Sequence, residues 1–155
     1  MAEPISFNPA TVNQTTTGNW VLGQVLEYNG NLYRFVRNYT DAALADGVVV
    51  GRQSATSWVV TGVSRTSALG GATTAGGVVC GVAIGAISTS NYGFILVSGL
   101  HTNVLGVATV TVAYRQRGSA TADSGVNASA ATDPTFGTAL TALSGGRYTV
   151  QVDCL

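Results

Sequence analysis

The sequence predicts an all-β protein: an antiparallel β-sandwich or β-barrel-like domain over residues 20–155, preceded by an extended arm over residues 1–19. Three observations predict it. Two glycine turns, Asn29-Gly30 and Gly145-Gly146, each sit between short apolar–polar alternations, the strongest local sign of a β-hairpin. A third pair of strands flanks the turn-forming cluster Ser88-Thr89-Ser90-Asn91. Helical periodicity is almost absent, and Asp41–Asp46, the one segment that hints at it, is too short for more than a single turn.

Taken in order, the arm contains Pro4, Pro9, three consecutive threonines and Gly18, with Ile5 and Phe7 as apolar anchors at strand spacing. VLEY-NG-NLYRFV then reads as a hairpin. A two-residue loop sets Tyr28 opposite Asn31 and Leu26 opposite Tyr33, so Leu26, Tyr28, Tyr33 and Phe35 share the buried face. Glu27 and Arg34 become diagonal neighbours on the other face. DAALADG reads as one helical turn or as a loop closing at Asp46-Gly47. Strands are expected at Val48–Val50 and Trp58–Thr61, and residues 62–77 read as a long polar connection.

The central hairpin runs from Val78 to Ile87 and from Phe94 to Ser98. Val78, Cys80, Val82, Ile84 and Ala86 are expected on one face, with Gly81, Ala83 and Gly85 on a nearly bare one. A bare strand face admits close approach by another backbone, and a second sheet or a neighbouring subunit is expected to cover it. Val107–Arg115 alternates like a half-buried strand, residues 118–134 read as an exposed tip or interaction loop, and the last hairpin turns Tyr148, Val150, Val152 and Cys154 inward.

Composition narrows function. Charged residues make up 9% of the chain and the net charge is zero, against roughly 25% charged in ordinary domains. The seven basic residues are all Arg. The pairs Arg34/Arg37 and Arg115/Arg117 read as solvated strand faces, which is too little positive charge for nucleic-acid binding. So little charge protects poorly against association and points to a surface used by neighbours. No apolar run is long enough for a membrane span, and the segment MAEPISFNPA lacks the basic and apolar regions of a secretory signal.

The residues offer little for catalysis, so no enzyme and no cofactor are expected. His101 is the single histidine, and pairing it with Ser98 or Ser88 and Asp123 lacks any nucleophile-placing motif. Cys80, Cys154 and His101 lack zinc-site spacing; the two cysteines are expected as reduced, buried thiols. Gly76, Gly77, Gly81 and Gly85 form no phosphate-binding fingerprint. Trp58 and the tyrosines are read as core packing ahead of a sugar-stacking platform.

The order GVAIGAI, a short polar turn, then YGFILVSG resembles the small capsid decoration proteins of tailed bacteriophages, also called cement or head-stabilising proteins. These often carry a similar GVA…(Y)G(W/F)…V-x-G core in an all-β domain rich in Gly, Ala, Thr and Val. The resemblance covers residues 78–115 best. It implies a virion structural protein, made in the host cytoplasm, that binds the outer surface of the capsid and stabilises contacts between major capsid protein subunits. It also implies a homo-oligomer, with trimer favoured over dimer. On that basis self-association is expected through Val82, Ile84, Phe94 and Leu96, and capsid contact through Ile5 and Phe7. The alternatives are another virion β-module, such as a head fibre or tail component, or a carbohydrate-binding tip built on Trp58.

Overall fold

A computed structural model describes residues 7–64, 78–107, 110–119, 122–128 and 133–155. Ile5, Ala108, Thr109 and most of the 62–77 connection lie outside the described residues. The fold is all-β, as expected. Among the described residues ten strands run β1 Val25–Tyr28, β2 Asn31–Asn38, β3 Val49–Arg52, β4 Val59–Gly62, β5 Val79–Ala83, β6 Tyr92–Leu105, β7 Arg115–Gly118, β8 Gly125–Asn127, β9 Thr135–Ala139 and β10 Arg147–Asp153.

Five of them close a barrel. The order β2-β4-β3-β5-β6 returns to β2 through antiparallel pairing of β2 with β6; only β2 and β4 run parallel. Closure leaves those strands no free edge. Every barrel strand contributes to one apolar cluster: Val36, Val50, Val60, Cys80 with Ala83, and Ile95 with Val97. That cluster is the barrel interior. Leu44, Val48 and Ile87 pack on it as well.

β6 is shared between two layers. Its first half pairs with β2 and β5, and its second half pairs with β10, which leads on to β9, β7 and β8. The strand changes layer at Gly99, where φ is +129° and a side chain would run into Asn31. The second sheet folds over the barrel wall. Between them lies the larger cluster, in which Phe136, Tyr148, Val150 and Val152 meet Tyr33, Phe35, Phe94 and Leu96. Gly118 allows the close approach, since a Cβ there would come within 2.6 Å of Val63.

Both glycine turns form as expected. Asn29 and Gly30 take φ of 51° and 75°, and Gly145 and Gly146 take 58° and 76°, the left-handed pair that a two-residue hairpin needs. Tyr28 faces Asn31 and Leu26 faces Tyr33.

Three local expectations are corrected and one open choice is decided. The bulky face expected for Cys80, Val82 and Ile84 is split, because Val50 pairs with Gly81 while Gly51 pairs with Val79. That bulge leaves Cys80 as the extra residue. It points into the barrel, while Val79, Val82 and Ile84 pack on the other cluster. Residues 110–114 are not strand: Ala113 adopts φ +67°, and β7 starts only at Arg115. Of the two readings of Asp41–Asp46, the loop is the one that forms: Gly47, with φ +81°, closes the turn and Leu44 bridges to Ile87. The 118–134 segment holds a short strand, β8, paired with β7.

Candidate interaction surface

The N-terminal segment packs on its own domain. Asn8 caps a 3-10 turn at Pro9–Thr11 by accepting from the Ala10 amide. The Gln14 and Tyr92 backbones exchange both hydrogen bonds, at 3.0 and 2.8 Å. The Asn13 side chain accepts from the Ser88 and Asn91 amides at 3.1 and 2.8 Å. Two glycines make the seat. A Cβ at Gly85 would collide with the Ala10 carbonyl oxygen, and one at Gly93 would come within 2.6 Å of the Val12 carbonyl oxygen. The bare face around Gly85 is therefore covered by this chain's own arm. Phe7, expected to reach a partner, packs its ring on Trp20, Tyr28 and Phe94 with centroids 5.4–6.0 Å away.

The residues expected to self-associate are internal. Val82, Phe94 and Leu96 are buried in the cluster between the two layers, and Ile84 is half-buried against the same cluster. Val82, Phe94 and Leu96, covered by their own chain, have no area left for a second copy. Apolar groups that do reach solvent sit elsewhere; among them Val112 is 49% exposed, Tyr114 54% and Leu140 46%. The backbone joins their segments, since the Ala113 amide donates to Ala139 O and the Ala139 amide donates to Tyr114 O. Their segments thus adjoin beside the turn at Ala113.

Two polar constellations escaped the sequence reading. The first centres on His101. Its Nδ1 accepts the Asn103 amide at 3.1 Å, which leaves Nε2 as the donor shared between Ala83 O and Asp46 Oδ1, each at 3.2 Å. Asn103 Nδ2 donates to Asp46 Oδ2 at 2.7 Å, and Arg147 donates to the carbonyls of Asp46 and Asn103. Both ring nitrogens are committed to structural bonds, so this dyad clamps the Asp46-Gly47 turn to β6.

Burial holds the His101 pKa below its ordinary 6.5, and Arg147 adds to that, against the opposing pull of Asp46 and the Ala83 carbonyl. An imidazole that resists protonation when folded binds more protons when unfolded. Its stabilising contribution is full above pH 6.5 and is lost as pH falls through the lower folded value. The urea midpoint is therefore expected to drop between about pH 7 and pH 5 by less in His101→Gln than in the wild type. Equal drops in the two proteins would remove His101 from the account.

The second constellation surrounds Trp58. Its indole lies over Gly23, where a Cβ would collide with the ring. The guanidinium carbons of Arg34 and Arg52 lie 4.0 and 4.2 Å from the ring centroid. No ion pair joins Arg34 to Glu27, which is exposed to solvent. Burial pushes the nearby Cys80 thiol up to about 12, although the Arg52 and Arg34 charges pull it down. Burial also raises the Cys154 thiol. Both cysteines are free thiols.

Arg37 donates to Ser90 O, and Arg115 donates to Thr135 Oγ1 beside a shallow polar hollow on the outer face of the second sheet. Among the described residues, no group of three or more His, Cys, Asp or Glu side chains is placed to hold a metal ion. No helix of the described residues is long and apolar enough to cross a membrane. No protein-family model matches the chain, and no curated protein matches it.

Proposed function

We propose that this chain is a virion structural protein that binds the outside of a tailed-phage capsid as a homo-oligomer, trimer favoured over dimer, and stabilises contacts between major capsid subunits. The observation that carries the reading is the GVAIGAI…YGFILVSG order, whose resemblance to decoration proteins led to it. Its strands β5 and β6 build the barrel wall, and β6 ties the barrel to the second sheet. The motif thus serves as the frame of the body, and contact surfaces belong on its periphery.

The exposed apolar side chains of Val112, Tyr114 and Leu140, on adjoining segments, support an association role on a chain with so little charge. An oligomer that presents several weak patches attaches firmly because they act together. The carbohydrate-tip alternative loses its main support, since the Trp58 ring is taken by Arg34 and Arg52.

The test is addition of the purified protein to expanded empty shells, followed by sedimentation. Co-sedimentation at a saturating, fixed ratio is expected, and Tyr114→Asp with Leu140→Asp is expected to reduce the oligomer or the ratio. A monomer that stays at the top of the gradient overturns the reading.

A further inference from the structure

The Arg34–Trp58–Arg52 group sits at one end of the barrel. Arg34 comes from the first half of β2, Arg52 from the end of β3, and Trp58 immediately precedes β4, which lies between those two strands. Leu32, Trp58 and Cys154 pack there against the interior cluster.

The two guanidinium groups are unlike in their bonding. Arg52 Nη2 donates to Ala55 O at 2.7 Å and to Ser57 O at 3.2 Å. Among the described residues the Arg34 guanidinium makes no hydrogen bond, and no carboxylate lies within ion-pair distance of either group. The Nε atoms of both are buried without an acceptor. Two cations thus flank one indole without a counter-charge. Among the described residues the Nη atoms of Arg34 have no hydrogen-bond partner, whereas Arg52 Nη2 is already committed.

We propose that Arg34, backed by the charge of Arg52 and by the Trp58 ring, is a receptor for a single carboxylate carried by an acidic peptide segment of a partner protein. The planar fork of a guanidinium matches a carboxylate in a bidentate arrangement. A ring stacked on the guanidinium face holds that fork in place and lowers the ordering needed on binding. A guanidinium fork on a chain of zero net charge suits one carboxylate better than a nucleic-acid backbone, which needs many cations along a strand. The site is independent of whether the partner is a capsid shell.

The indole N–H signal of Trp58, resolved from that of Trp20 by two-dimensional NMR of the intact protein, reads the site directly. The probes are acetate, a capped Gly-Glu-Gly peptide and inorganic phosphate. The expected result is a saturable shift of the Trp58 signal with acetate and the peptide, with Trp20 unmoved. Arg34→Gln should weaken that response at least tenfold while the amide spectrum elsewhere is retained. Arg34→Lys keeps the charge, loses the fork, and serves if the Gln protein does not fold; it too should bind more weakly. A shift that grows linearly without saturation, a response as strong in either variant as in the wild type, or saturation by phosphate alone would overturn the proposal.

Discussion

Gly85→Val is expected to destabilise the protein by about 2–4 kcal/mol, the range of large packing defects. Gly85 does not adopt a left-handed φ, so its backbone accepts a β-branched residue. On an open strand the change would be neutral or slightly stabilising, because valine suits extended backbone better than glycine. The obstacle is the Ala10 carbonyl oxygen, which occupies the place of the new Cβ. It is backbone and cannot rotate away as a side chain can. The arm must lift, and with it go the paired bonds of Gln14 to Tyr92 and the contact of Phe7 with Trp20, Tyr28 and Phe94. Urea unfolding measures the loss. Because Phe7→Ala weakens the same docking, the double variant should fall well short of the sum of the singles. A Gly85→Val protein as stable as the wild type would mean that the arm does not rest there.

Leu96→Ala is expected to lower stability by about 3 kcal/mol, independently of protein concentration. Leu96 is 1% exposed, faces Val82 across β5–β6 and Tyr33 across β2–β6, and lies under the second sheet. Removing most of its side chain leaves a cavity that neighbours held by two layers cannot collapse into. A residue buried between subunits behaves differently, since its loss weakens association and makes the melting temperature depend on concentration. Thermal melts over a wide dilution range separate the two. A Leu96→Ala defect that disappears at high protein concentration would return Leu96 to a subunit interface.

The parts of this fold that were legible from sequence are those fixed by a few adjacent residues. Asn29-Gly30 and Gly145-Gly146 supply two successive left-handed positions, and few other residue pairs do so. The inward set Tyr148, Val150 and Val152 follows from alternation alone. What failed depended on partners distant in sequence. The Cys80 bulge is set by how β3 meets β5, and a slip of one residue turns side chains to opposite faces.

Val107–Arg115 has the alternation of a strand, but residues 111–114 are held by a turn and by a side chain from β8. The Tyr114 amide donates to Thr111 O, and the Thr111 amide donates to the Asn127 side chain. Barrel closure rests on residues 32–37 pairing with 92–98, a register no local pattern encodes. The same holds for the candidate sites. Asp46 and His101 are brought together by the turn at Gly47, and Arg34 and Arg52 by the strand order β2-β4-β3. The Gly85 face was expected under a second sheet or a neighbouring subunit, and it is the chain's own arm at Ala10 that lies there, a partner no local pattern names.

The claim on which these arguments depend most is that the arm closes over the β5–β6 hairpin within one chain, leaving association to the periphery. Amide hydrogen exchange at Gln14 and Tyr92 tests it most directly, because each of these amides donates to the other's carbonyl. Both are expected to be protected, and equally so at low and high protein concentration. Exchange of the Gln14 amide at the rate of an unfolded peptide, or protection that appears only when the protein is concentrated, would contradict it.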